Sequence, residues 1–200
     1  MLALALLFLT RSAAADPQPA WRPDGTTDGL FLERRAVRGT SFEEIRVSTT
    51  SALTVDRLCD AMFNKGLDGR TNVRFKRREV LRQTDTERWT YEQIVVPWVS
   101  DRDYVMHTRL DQAPSTGRCE VSFETQNDPS RPPARGFVRI PCIRGHWSVT
   151  QSADGRRSVV YQIFSDPGGG IPAFLASGAQ RGAAVDFVKV VLARATQQAP

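Results

Sequence analysis

The chain has 200 residues, of which 40% are hydrophobic and 24% charged, and it carries a net charge of +5. That length and composition fit one globular domain with a real core, and no internal repeat divides it. Three cysteines and two histidines do not approach zinc-ligand spacing, so neither a metal nor a cofactor is expected.

The opening run MLALALLFLT, followed by Ala13-Ala14-Ala15, reads as an export signal over 1–15 with an A-x-A cleavage site. The run is too short to span a bilayer and lacks a basic start; a ragged N-terminus or an anchor left uncleaved is the alternative. Export would place the mature chain in the periplasm or outside the cell. Residues 16–27 read as a polar lead-in, and the folded domain is expected over 28–196.

"LFLERRA" (30–36) and "SFEEIRVSTTS" (41–51) read as strands joined by a turn at Val37-Arg38-Gly39-Thr40. In "TVDRLCDAMFNKG" (54–66) the offsets of Val55, Leu58, Cys59, Met62 and Phe63 make one face of a helix, with Thr54 as its cap and Gly66 as its stop. Strand patterns follow: "VRFKRREVLRQ", "ERWTYEQIVVPW", "DYVMHTRL", "RCEVSFET", "GFVRIPCIRGHWSVTQ" and "RSVVYQIFS". Short turns between them imply antiparallel neighbours. Arg74, Lys76, Arg77 and Arg78 crowd the first of these and read as a solvated strand edge rather than a headgroup site. No interleaved aromatics suggest stacked bases, so nucleic acid is not an expected partner. A hairpin centred near residues 130–131 would set Cys119 opposite Cys142 as a candidate disulfide, leaving Cys59 as a small core residue. The segment 126–136, with Pro129, Pro132 and Pro133, reads either as a functional loop or as a surface insertion. The chain closes on a helix that Pro172 opens, with Phe174, Leu175, Gly178, Val185, Val188 and Leu192 at helical offsets. Alanine and glycine make its first half thin.

Alternation puts Tyr104, Met106, Thr108 and Leu110 on one face of their strand and Val105, His107 and Arg109 on a polar, wet one. Thr90 and Glu92 share a face of the preceding strand, and which way it points stays open. There is no G-x-S-x-G, no H-E-x-x-H, and "DPGGG" lacks the lysine-hydroxyl ending of a phosphate loop. What remains is apolar surface with few polar anchors, which suits a ligand cavity or a plain packed core.

"PWVSDRDYV" (97–105) resembles the P-x-x-x-S-x-R-D-[FY]-V signature of START domains, the steroidogenic-acute-regulatory-related lipid-transfer family. "VVYQIFSDPGGGIPAFL" resembles that family's last strand, its D-P-G-G-x-I-P junction and the opening of its terminal helix, and "DGLFLERRAVRGTSFEEIRV" is similar to its first hairpin. The likeness covers roughly residues 27–194. It implies an α+β helix-grip fold, a curved antiparallel sheet wrapped around a long C-terminal helix with a hydrophobic tunnel between them. It further implies a monomeric, non-enzymatic carrier that binds a lipid and touches a membrane transiently. Candidate lining residues are Thr90, Glu92, Tyr104, Met106, Thr108, Leu110, Phe123, Trp147, Phe174, Leu175 and Gly178. Candidate gate residues are Pro129, Pro132 and Pro133 in the loop and Gly168, Gly169, Gly170 and Pro172 at the junction. Many family members carry an arginine where this chain has Thr108; its loss disfavours a phosphate headgroup and favours a sterol, hopanoid, fatty acid or pigment. A helix-grip cyclase or aromatase using His107, His146, Tyr91, Tyr104 or Glu92 is the enzymatic alternative, and a protein-interaction module with a filled cavity is a third.

Overall fold

The computed structural model describes residues 18–63, 74–97, 99–113 and 117–197. The export signal over 1–15, the helix stop at Gly66, Trp98 of the signature motif and turn residues 114–116 lie outside the described residues. A ten-stranded sheet runs in the order β1-β2-β3-β10-β9-β7-β6-β5-β4, with β8 beside β6. The first edge comprises β1 (Arg22–Thr27), β2 (Leu30–Ala36) and β3 (Glu43–Ser51). Helix α1 (Val55–Phe63) follows, then β4 (Arg74–Gln83), β5 (Glu87–Val95), β6 (Asp101–Ala113) and β7 (Arg118–Gln126). The short β8 (Phe137–Arg139), β9 (Cys142–Gln151), β10 (Arg157–Asp166) and the long α2 (Ala173–Gln197) complete the chain.

Both helices lie on one face of the sheet. The α1 backbone is capped as its sequence dictates, Arg57 N–H donating to Thr54 Oγ1 at 3.3 Å. Its buried face presents Val55, Leu58, Cys59, Met62 and Phe63 to the core. These meet Leu32 and Val47 of the first hairpin, Val121, Val149 and Val159 of the sheet centre, and Val185, Val188 and Val191 of α2. Each such aliphatic side chain contributes about 1.5–3 kcal/mol on burial. The first half of α2 has no equivalent, since before Ala184 only Ala176 is buried. The helix is therefore held by its second half.

Four expectations are corrected. The lead-in is not outside the fold: residues 22–27 form β1, paired antiparallel with β2. The run 136–151 is not one strand. It breaks after Arg139, and β8 pairs with β6 in parallel while β9 pairs with β7 and β10. Pro141 lies in the break and cannot donate to a ladder. Cys119 is not opposite Cys142; its register partner on β9 is Val149, and it forms a disulfide with Cys59 of α1 across a Cα–Cα distance of 6.1 Å. Cys142 is free. The basic edge is not wholly solvated. Register shifts on β4 between Phe75 and Arg77 and between Val80 and Arg82 set Arg78 opposite Glu92, and the two form an ion pair.

Candidate ligand-binding site

The β5–β6 register pairs Arg88 with Thr108, Thr90 with Met106, and Glu92 with Tyr104. Met106 and Thr108 line a cavity between sheet and helices, which fixes this whole set on the concave face and settles the direction of Thr90 and Glu92. The cavity measures about 80 Å³ and is bordered by Met62 of α1 and by Phe187 and Val191 of α2. Trp147 and Tyr161 form part of its wall, their ring centroids 4.3 Å apart. Phe123 lines it too, and its ring occupies the space a side chain at Gly145 would need, 2.7 Å from the position of a Cβ there. Leu110 packs against the main core rather than into the cavity.

Apolar surface continues past this void. Met106 and Phe123 also pack against a second cluster made of Tyr104, Ile140 and Ile143 with Ile94 and Ile163. Among the described residues, none of its members comes from α2. Beneath this strip sits a satisfied carboxylate. Glu92, 2% exposed, accepts from Arg78 Nε at 2.9 Å and Thr90 Oγ1 at 3.1 Å on one oxygen, and from the Tyr104 hydroxyl at 2.5 Å on the other. Burial, with the Glu92 charge beside it, raises the Tyr104 pKa well above its ordinary value.

At the end of β6 two consecutive motif residues hold the elements on either side. Arg102 donates from Nε to the Pro167 carbonyl and from Nη2 to the Gly168 carbonyl, both at 3.2 Å, and from Nη1 to the Ser100 carbonyl. Asp103 receives Arg139 at 2.9 and 3.0 Å, the Ala134 N–H at 2.9 Å and the Tyr91 hydroxyl at 3.0 Å. One residue clasps the glycine junction and its neighbour clasps the 126–136 loop. Burial would raise the Asp103 pKa, but Arg139, the Ala134 N–H and Tyr91 outweigh it and hold the carboxyl below its usual range. Gly168, Gly169 and Gly170 have φ of 64°, 67° and 69°, a left-handed path open to glycine at little cost. Pro172 stands just before α2, its carbonyl accepting from Leu175 and Ala176. Pro129, Pro132 and Pro133 lie exposed in the clasped loop.

Some candidates lie elsewhere. Phe174 and Leu175 do not line the cavity; they are 78% and 61% exposed, because the thin first turns of α2 leave them on its outer side. Gly178 borders a separate groove of about 270 Å³ between α2 and the first hairpin, beside Asp24 and Arg34. His107 is no wet surface residue. It is buried on the outer face of the sheet, stacked on Trp89 at 4.1 Å, with Gln126 bonded to its Nδ1 at 3.1 Å. With His146 it borders an outer hollow of about 330 Å³ lined by charges of both signs. Thr90, Glu92 and Tyr104, though on the concave face, are not among the residues that line the cavity, and neither histidine lies on that face with them.

Sequence reasoning missed Arg88, which lines the cavity from the strand position opposite Thr108. The lining therefore holds an arginine, although not at position 108. The signal was the period of two running back from Thr90 and Glu92. Phe187 carried no comparable signal, since its role follows from how α2 lies over the sheet.

No family model matches the chain. It is 27% identical over 182 residues to an uncharacterized protein of Pseudomonas aeruginosa, a match spanning 88% of this chain and 86% of the relative. Its structure is similar to that of the STAR-related lipid transfer protein of Xanthomonas axonopodis, with 27% identity and a TM-score of 0.71 over 88% of this chain and 99% of the other. Human StAR-related lipid transfer protein 5 gives a TM-score of 0.72 at 17% identity, covering 88% and 86% of the two chains, a likeness of fold alone. The fold is the helix-grip fold of START domains.

Proposed function

We propose that the chain binds a hydrophobic ligand, a sterol, hopanoid, fatty acid or comparable lipid, between its sheet and α2 and carries it between membranes without catalysing a reaction. The observation that carries this reading is the apolar strip that runs from the cavity into a second cluster to which, among the described residues, α2 contributes no side chain. The likeness to a Xanthomonas lipid transfer protein over nearly the whole chain supports it.

The cavity of about 80 Å³ is smaller than the roughly 300–1,000 Å³ of ordinary ligand sites, so admission of a lipid requires α2 to move. Its first half, lacking large buried side chains, is the part that can do so at least cost. In this reading the 168–170 junction and the 126–136 loop are the gate, and Phe174 and Leu175 meet the bilayer when it opens. Enclosure is needed because each acyl methylene moved into water costs about 0.8 kcal/mol. The Cys59–Cys119 disulfide suits an oxidising compartment, which supports the part of the proposal that exports the carrier to the periplasm or beyond.

Acid–base catalysis on an apolar substrate is the second reading, favoured by the 2.5 Å contact between Tyr104 and Glu92. Against it, Glu92 is already saturated by three donors and the Tyr104 proton is held too tightly for exchange near neutrality. Solvent extraction and mass spectrometry of protein purified from its native compartment tests the proposal. A bound apolar molecule released unaltered is expected. Protein that carries no lipid and takes none up from vesicles overturns it, and a chemically altered guest moves the assignment to the enzyme.

A further inference from the structure

Resting on the reading that an apolar guest enters the space under α2, we infer that the guest carries a flat ring with a neutral carbonyl oxygen, and that Tyr161 and Trp147 donate hydrogen bonds to that oxygen. Both residues line the cavity, and they stand directly opposite each other in the β9–β10 ladder. They are 4% and 6% exposed. Neither the Tyr161 hydroxyl nor the Trp147 indole N–H has a hydrogen-bond partner among the described residues. The other two tyrosines differ: Tyr91 donates to Asp103 at 3.0 Å and Tyr104 to Glu92 at 2.5 Å. Trp89 likewise donates to Gln126 at 3.1 Å. Buried tyrosine and tryptophan ordinarily find such a partner, so two that lack one in the wall of a cavity call for a partner from inside it. Burial alone acts on the Tyr161 pKa and raises it, as for a hydroxyl with no bonded neighbour.

The chemistry of the wall selects the guest. Tryptophan donates and cannot accept, so the guest must supply an acceptor, and a carbonyl oxygen has lone pairs for both donors. An ionised head is not called for. Arg88, in the same lining, is already engaged, with the Phe63 ring 5.4 Å from its guanidinium among its contacts. A carboxylate would therefore bring a buried charge without a free cation to meet it. The ring follows from the remaining wall. Phe123 and Phe187 stand 5.9 and 6.4 Å from Tyr161 between ring centroids, so four aromatic rings line the cavity. Aromatic pairs gain from offset or edge-on contact beyond the area they bury, a gain that a saturated acyl chain does not share. Met106 and Phe123 lead on to the second cluster, which gives an apolar tail on the same molecule a course to follow.

The test titrates fluorenone and fluorene, flat fused-ring molecules that differ by the carbonyl oxygen, into the intact protein and into Tyr161→Phe, which keeps the ring and removes the hydroxyl. One neutral hydrogen bond corresponds to about five- to tenfold in affinity. Wild type is expected to bind fluorenone more tightly than fluorene by at least that factor. Tyr161→Phe is expected to lose that factor for fluorenone while binding fluorene within about twofold of wild type. The infrared carbonyl band of bound fluorenone is expected to lie lower in wild type than in the variant, a shift that altered packing alone does not give. Without guest, Tyr161→Phe is expected to unfold at the same urea concentration as wild type or a higher one, because the hydroxyl it removes has no partner. Equal affinity of wild type for both guests, an equal fall for both in the variant, or a lower urea midpoint in the variant overturns the assignment. Wild type that binds neither guest yet takes up palmitic acid or cholesterol from phosphatidylglycerol vesicles also overturns it and leaves the carrier reading intact. Uptake of none of these molecules overturns the carrier reading itself.

Discussion

Arg102 on β6 and Gly168 ahead of α2 are joined by a 3.2 Å hydrogen bond that spans 66 residues of chain. Arg102 is 1% exposed, and Val138 of β8 packs close to both Gly168 and Gly169. The junction that begins α2 is thus fixed to the sheet at the point where the 126–136 loop returns. Both candidate gate elements share one anchor point on β6.

Gly169 tests how rigid that anchor must be. Its φ is 67°, and a Cβ there would stand 3.0 Å from Arg102 Nη2 and 3.2 Å from Val138. Gly169→Ala is expected to destabilise the fold by about 1–3 kcal/mol, the cost of a left-handed non-glycine residue. Gly170, with a similar φ but nothing within 4 Å, should show the backbone cost without the clash. Urea unfolding of the two variants checks this; a Gly170 variant less stable than the Gly169 variant would contradict it.

Asp103 supplies a pH dependence. Its folded pKa is held below the ordinary carboxyl value, so the stability it contributes is complete above about pH 4 and is lost as pH falls through the lower, folded value. Asp103→Asn leaves the Arg139 guanidinium without its buried carboxylate and is expected to cost about 3–5 kcal/mol. The loop carries Arg135 ahead of Gly136, a bond open to trypsin, so limited digestion reports directly on its hold. Faster cleavage there is expected in Asp103→Asn at about pH 8, where trypsin's histidine base is neutral, and urea unfolding of wild type is expected to show the loss of stability only below about pH 4. An unchanged cleavage rate in the variant would show that the loop is held by something else.

The disulfide ties α1 to β7 across a sequence separation of 60 residues. Closure of a loop that long stabilises by about 4 kcal/mol in the chain-entropy account. A Cys59→Ser, Cys119→Ser double variant is expected to lose that amount in urea unfolding, and reductant is expected to lower the Tm of wild type but not of the variant. Thiol labelling of the native protein should mark Cys142 alone; labelling of Cys119 would contradict the pairing.

Phe174 and Leu175 are large apolar side chains left in solvent at the start of the half of α2 that is least held. Replacing both by serine is expected to change stability by less than about 0.5 kcal/mol, as for exposed positions generally. The same change should reduce co-sedimentation with vesicles of anionic phospholipid several-fold. Undiminished vesicle binding would place the membrane contact on another surface.

The sequence by itself determined the elements and much of the chemistry. Period-two runs fixed most of the strands, helical offsets fixed the α1 face, and the two quoted motifs marked the residues that join β6 to the helix junction and the loop. These are local properties, set by backbone sterics and side-chain spacing within a few residues. Only the tertiary structure decided which cysteine Cys119 meets, that Arg78 turns inward across two register shifts, that the arginine in the cavity lining is Arg88 rather than residue 108, and that Phe174 and Leu175 point away from it. Each of those depends on strand register or on how a helix lies over a sheet. A shift of one residue, or a turn of the helix about its axis, exchanges the inner and outer faces without altering the local pattern.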